Sequence, residues 1–187
     1  MSDERIRLFC ALQLPDETLQ ELVAWQAQHL QTPDLRPGRV VPPENLHVTL
    51  AFLGSRPAGE VPTIMDELLA ASAAARPIEL RPVRYRETGS VGMIVLEDVA
   101  LAATALAAEL GERLERLGVY RSEGRRWFPH VTVLRFKERA GVTPEGTNIR
   151  SIHVVRSALY RSSLGHGPAE NSGARYDALE TAALGGS

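Results

Sequence analysis

Short apolar runs separated by turn residues alternate along this chain with three longer stretches whose apolar residues recur at helical spacing. Residues 6–13 predict a strand. Pro15, Asp16 and Glu17 then open a helix with acids in its first turn, carrying Leu19, Leu22, Val23, Trp25 and Leu30 mostly on one side. Residues 31–43 are rich in Pro, Gly and Arg and read as a loop. A strand over 46–53 closes at Gly54, and a second helix over about 59–75 ends before Pro77. Strands over 78–87 and 91–96 flank a turn at Thr88-Gly89-Ser90. Residues 100–117 form the clearest helix, Ala- and Leu-rich, with Gly118 suited to its C-terminal cap. An Arg-rich loop leads to a strand over 130–136, a loop over 137–148, one long strand over 149–164 and a final strand over 175–184. The segment between the last two, 165–173, is glycine-rich and expected to be exposed.

Strands that alternate with helices, without a run of parallel βαβ units, predict an α+β fold with helices outside antiparallel or mixed sheets. No linker is long enough to separate independent domains, so residues 1–187 are expected to form one. Each half surrounds one His-Val-Thr strand with helices, a pattern that predicts two pseudo-symmetric lobes and a central cleft where those strands meet.

Composition adds limits. At 44% hydrophobic residues, 187 residues can bury a core without staples. The charged N-terminal residues and the short apolar run after Ile6, broken by Arg7 and ended at Pro15, fit neither a signal peptide nor a membrane span, so a cytoplasmic protein is expected. One cysteine, Cys10, excludes an internal disulfide and a thiolate metal cluster, and reads as a small buried hydrophobe. A net charge of −2 argues against coating long nucleic acid by bulk electrostatics. The basic residues gather locally, with Arg121, Arg125, Arg126, Arg135 and Lys137 against Glu123 alone, around the second His-Val-Thr.

The chemistry lies in the repeat His47-Val48-Thr49-Leu50 and His130-Val131-Thr132-Val133. On a strand, residues i and i+2 share a face, so each histidine stands beside its threonine while the intervening valine and the residue after the threonine turn into the core. Two imidazoles with ordinary pKa values of about 6.5 can exchange roles as acid and base near neutrality. Two hydroxyls can hold the oxygens of a phosphate as charge builds on them. Neither motif carries a carboxylate or a third group at metal-ligand spacing, so no metal and no cofactor is expected. A single histidine on an apolar strand is usually a packed core residue; two copies of the same triplet favour catalysis.

These segments resemble the two-histidine (2H) phosphoesterases, and within them the RNA 2′,3′-cyclic phosphodiesterases once called 2′-5′ RNA ligases. The resemblance runs from residues 7–12 (RLFCAL) through 42–54 (PPENLHVTLAFLG) and 127–135 (WFPHVTVLR) to the closing hairpin of 157–176, whose loop over 165–173 is longer than usual. Where the family often carries an aromatic residue ahead of the Pro-Pro-Glu-Asn-Leu segment, this chain has Val40-Val41. The resemblance implies metal-independent opening of a terminal 2′,3′-cyclic phosphate on RNA 3′ ends, tRNA fragments among them, to a 2′-phosphate, with reversal as 2′-5′ joining. It further implies His47 as proton donor, His130 as proton acceptor, and Thr49 and Thr132 as phosphate holders. A small cyclic nucleotide, a 2′-5′ oligonucleotide, or a non-catalytic RNA- or nucleotide-binding role are the alternative readings, and a monomer is expected.

Further candidates for substrate contact are Arg7 and Phe9 on the first strand, Arg126 and Trp127 in the loop entering the second motif, Arg135 and Tyr176. Simple alternation puts Arg135 off the His-Thr face. Core packing competes with base stacking for Trp127. His29 and His153 read as structural, and His166, between two glycines, as a loop residue able to close over substrate.

Overall fold

The structure is a computed structural model that describes residues 4–30, 38–122, 124–164 and 173–185. Along the chain run β1 (Arg5–Gln13), α1 (Asp16–His29), β2 (Arg39–Val40), β3 (His47–Pro57), α2 (Val61–Ala73), β4 (Ile78–Glu87), β5 (Val91–Asp98), α3 (Ala102–Arg116), β6 (His130–Arg135), β7 (Ile152–Val154), β8 (Arg156–Leu164) and β9 (Ala174–Ala183). Single 3-10 turns at Pro43–Asn45 and Ala58–Glu60 lead into β3 and α2.

The nine strands form one sheet in the order β7-β4-β5-β6-β3-β1-β8-β9, with β2 added alongside β6. Every described pairing is antiparallel, which resolves the expectation of antiparallel or mixed sheets. The order is symmetric about its centre: each half has four strands, and the innermost strand of each, β6 or β3, carries a His-Val-Thr. Helices α1 and α3 occupy matching places, one between β1 and β3, the other between β5 and β6. The core joins Leu8, Cys10 and Leu12 of β1 to Val48 and Val131, and to Leu22, Ile64, Leu68, Leu106 and Leu110 of the helices. Each such buried aliphatic side chain contributes roughly 1.5–3 kcal/mol by leaving water. Complete burial pushes the Cys10 thiol up to about 12, so it stays a protonated, inert hydrophobe.

Helix α3 starts from Leu101, whose backbone is left-handed (φ 55°), while the Asp98 carboxylate accepts bonds from the N–H groups of Ala103 and Thr104. That carboxylate meets the free N–H groups and the positive end of the helix. Gly118, at φ 70°, closes the other end as expected.

Four expectations are corrected. The single long strand over 149–164 is two strands, β7 on β4 and β8 on β1, with Val155 between them 63% exposed. Because β7 and β8 lie in opposite halves of the sheet yet are one residue apart in sequence, the sheet must curl back on itself. Gly54 does not end β3, which continues to Pro57 through a bulge next to that glycine (φ 69°). Residues 39–40, expected in a loop, pair with β6 as β2. Val23 of α1 faces solvent rather than the core. The segment 165–172 with His166, and residues 31–37, lie outside the described residues.

The sheet bulges at matching places in its two halves. Between Thr49 and Ala51 the register of β3 against β1 skips Leu50, and between Thr132 and Leu134 the register of β6 against β5 skips Val133. The Val133 bulge is held from α1 and β2. Gln26, 2% exposed, donates its Nε2 to the carbonyls of Val133 at 2.9 Å and Val41 at 3.0 Å, and the Val41 N–H also reaches Val133 at 3.0 Å. Replacing Gln26 by Ala leaves buried carbonyl capacity unmet beside a void and is expected to destabilise the fold by about 1–3 kcal/mol. Denaturant unfolding with an unchanged midpoint would refute this support role.

Candidate active site

Among the described residues one rung joins the two halves: Val48 lies opposite Val131. Antiparallel pairing then sets His47 beside Thr132 and Thr49 beside His130 on the same face. Burial follows the predicted alternation in both strands, with both valines at 0% exposure and each histidine and threonine half-buried on the open face. The four side chains therefore form a compact quartet on a rigid, apolar support.

Both imidazoles are oriented in the same way, by the carbonyl two residues earlier. His47 Nδ1 lies 2.8 Å from the Asn45 carbonyl oxygen and His130 Nδ1 lies 3.2 Å from that of Phe128. A carbonyl only accepts, so Nδ1 carries the hydrogen in each ring and Nε2 is left as the acceptor. The two Nε2 atoms differ in surroundings. That of His47 meets the Thr49 hydroxyl at 3.0 Å, whereas no described side chain bonds that of His130.

Burial is also unequal. His47 sits against the ring of Phe9 at 4.8 Å, with the edge of Tyr176 at 5.4 Å and Tyr160 at 6.1 Å. That apolar wall holds its pKa down to about 4, against an upward push from the Asn45 hydrogen bond and a further lowering by the Arg135 and His130 charges. His130 is also held below 6.5, by burial first, opposed by its Phe128 bond, with Arg125 adding repulsion. Both rings are thus neutral near pH 7, in a positive field that favours an anion.

The remaining candidates separate clearly. Phe9 is 2% exposed and stacks on Tyr160 at 5.0 Å, so it is a floor beneath His47 and not a substrate contact. Tyr176 stands at the rim, with its hydroxyl accepting from Arg135 Nη2 at 3.3 Å. Arg135 reaches the His-Thr face after all, because the Val133 bulge inserts one residue and reverses the alternation beyond it. Arg7 is exposed on the same face of β1 as Phe9, on the rung of Ser162, which in turn lies opposite Tyr176. Trp127 donates its indole N–H to the Thr49 carbonyl at 3.0 Å and packs against the core, tying the loop before the second motif to the strand of the first. Arg126 is exposed and lines, with Thr49, Phe52, Trp127, Phe128 and His130, an open cavity of about 690 Å³.

Several site residues carry no sequence signal of their own. Asn45 is buried, bonds the Ala174 carbonyl through Nδ2 at 2.6 Å, and keeps an unpartnered Oδ1. Gln13 lies opposite His47 and donates to the Tyr160 hydroxyl at 3.2 Å. Phe52 is 58% exposed and Phe128 lies 4.9 Å from the His130 ring. Among the described residues no group of three or more His, Cys, Asp or Glu is placed to hold a metal ion. His29 packs against Trp25, and His153 lies exposed on β7 opposite Glu79, both away from the quartet.

Residues 12–86 match the family described as LigT like Phosphoesterase. The chain is 31% identical over 165 residues to the RNA 2′,3′-cyclic phosphodiesterase of Escherichia coli strain K12, covering 86% of this chain and 89% of that one. It is 26% identical to the RNA 2′,3′-cyclic phosphodiesterase of Methanocaldococcus jannaschii over 71% of this chain and 72% of the relative. The crystal structure of Escherichia coli LigT complexed with 3′-AMP superposes with a TM-score of 0.79 at 29% identity, covering 97% and 99% of the two chains.

The suppressed His47 pKa leads to a test with sulfate, whose charge is constant between pH 5 and 8. An anion in the quartet raises the His47 pKa, so binding takes up a proton and sulfate is expected to bind more tightly as pH falls from 7 towards 5. Calorimetry in buffers of different ionisation enthalpy reads that uptake, and pH-independent affinity contradicts it. Native stability is also expected to fall between pH 6.5 and about 4, where the unfolded chain takes up a proton that the folded His47 site refuses. Thermal unfolding of His47→Asn should show a shallower slope in that window.

Proposed function

The chain belongs to the LigT-like phosphoesterase family, and from that membership we propose that it opens the 2′,3′-cyclic phosphate at an RNA 3′ end to a 2′-phosphate, using His47 and His130 as its acid–base pair. The observation that carries the residue assignment is the quartet: two imidazoles on a shared face, each beside the other strand's threonine, with Nδ1 fixed and Nε2 turned to the work.

Water attacks phosphorus as the bond to the 3′ oxygen breaks. His130, whose Nε2 meets no described side chain, takes the proton from the attacking water. His47 delivers a proton to the departing 3′ oxygen, and the 2′ oxygen keeps the phosphate. The reaction consumes one water and leaves His130 protonated and His47 neutral; exchange with solvent resets them. The substrate itself charges the acid, since a phosphodiester anion beside a buried imidazole reverses the preference for the neutral ring. Thr49 and Thr132 donate to the non-bridging oxygens, where charge builds as water attacks. With a 5′-hydroxyl in place of water as the nucleophile, the same ring opening joins ends through a 2′-5′ linkage, His130 taking the hydroxyl proton and His47 again protonating the departing 3′ oxygen.

We read the chain as one catalytic domain acting as a monomer on RNA ends in the cytoplasm. The sheet that runs unbroken through the described strands of both halves supports the single-domain reading.

The test uses an RNA oligomer ending in a 2′,3′-cyclic phosphate, with product analysis that separates 2′- from 3′-phosphate. Wild type is expected to release only the 2′-phosphate, at a rate unaffected by EDTA. His47→Ala and His130→Ala are each expected to lose about 10²–10⁴ in kcat while still unfolding in one cooperative thermal transition. Near-normal turnover in either folded variant would sink the assignment.

A further inference from the structure

Two arginines stand opposite each other at one end of the central ladder. Arg39 of β2 pairs with Arg135 of β6, so their side chains leave the same face, and the Val133 bulge makes that the face of His130 and Thr132. Like charges placed directly across a ladder repel. Among the described residues neither guanidinium forms an ion pair; Arg135 donates to the Tyr176 hydroxyl at 3.3 Å. The Arg39 head is seated over Gly173, at the start of β9, so closely that a Cβ there would lie 2.8 Å from Nη2. Tyr176 lies three residues further along, so the two heads, rooted on one rung, both reach towards the N-terminal part of β9. Two planar forks without an ion-pair partner among the described residues form a strong receptor for a phosphodiester.

Their position relative to the quartet gives that anion an identity. Along the seam the face-sharing pairs run in the order Arg39 and Arg135, then His47 and Thr132, then Thr49 and His130, and beyond them Phe52. With His47 protonating the leaving 3′ oxygen, the ribose that keeps that oxygen lies at the His47 end, and the chain from its 5′ carbon continues away from His130. Two ladder steps, roughly 7 Å, separate Thr132 from Arg135 across the bulge, on the scale of one nucleotide. We infer that Arg39 and Arg135 form a second anion subsite, which binds the phosphodiester on the 5′ side of the terminal nucleotide, so that RNA leaves the cleft over β2 and not over Phe52. This inference rests on the assignment of His47 as donor and His130 as acceptor. It makes the enzyme prefer an oligonucleotide end over a cyclic mononucleotide.

The experiment compares cytidine 2′,3′-cyclic phosphate with a dinucleotide carrying the same cyclic end, and with that dinucleotide bearing a neutral methylphosphonate in place of its internal phosphodiester. Wild type is expected to favour the charged dinucleotide in kcat/KM by about tenfold, the scale of a charge-assisted contact, and to lose that preference with the methylphosphonate. Arg39→Gln is expected to lower kcat/KM on the charged dinucleotide by the same factor and to change the other two substrates less than twofold; the mononucleotide rate doubles as the control for folding. An R39Q variant that keeps the charged-dinucleotide rate, or slows all three substrates alike, overturns the subsite. So does a selective loss in Phe52→Ser with R39Q unaffected, which would turn the RNA towards the opposite end. If wild type opens the cyclic phosphate of none of the substrates, the proposed activity fails first, and the inference falls with it for that separate reason.

Discussion

The active face depends on a single ladder rung. Val48 and Val131, both without exposed surface, are the one described pair between the halves of the sheet, and their antiparallel register decides which histidine meets which threonine. A slip of either strand by one residue would turn its own histidine into the core and its own valine into the cleft, because side chains alternate with a period of two. The cost of burying imidazoles while exposing valines fixes the register without any direct bond between the catalytic groups. Trp127 adds a second tie between the halves by donating to the Thr49 carbonyl. The apolar core beneath the quartet thus acts as its jig.

Near-identical motifs do not give identical chemistry. Both rings fix Nδ1 on a backbone carbonyl, so strand geometry sets the tautomer twice over. Their apolar surroundings then divide them. His47 is wedged among Phe9, Tyr160 and Tyr176, where protonation is disfavoured until an anion arrives, while His130 lies under Phe128 at the mouth of the open cavity. Water reaches the second ring more readily than the first. Substrate-dependent protonation at one ring and solvent access at the other are the qualities that separate an acid from a base in hydrolysis.

Much of this was legible in the sequence, and the failures share a cause. The His-x-Thr alternation, the three helices and the α+β class all follow from periodicity, which reports local geometry. Arg135 was expected off the face because periodicity cannot show a bulge; the reason it faces the site lies partly in Gln26, more than a hundred positions earlier in the chain, whose amide holds the Val133 carbonyl. Phe9 looked like a substrate contact because an aromatic at a cleft-lining position carries no mark of what covers it, and here Tyr160 and Tyr176 do. The apolar run around Val155 read as one strand since a crossing between sheet halves takes a single residue. Asn45 was invisible as an orienting group, because its backbone carbonyl does the work.

The matching bulges explain how a duplicated plan acquires direction. In each half the extra residue follows the threonine at once, Leu50 in one strand and Val133 in the other, so the fifth residue after each histidine turns into the cleft. That place is Phe52 after His47 and Arg135 after His130. Symmetry of backbone therefore presents an exposed apolar ring at one end of the quartet and a charged fork at the other. A substrate with an anionic backbone is read differently at the two ends even though the catalytic centre between them is nearly symmetric. Because β2 adds Arg39 only on the Arg135 side, the imbalance is reinforced by the sheet itself. On the proposed assignment, division of labour between two similar histidines needs no difference within the motifs; residues on either side that orient the substrate would decide which imidazole faces the leaving oxygen.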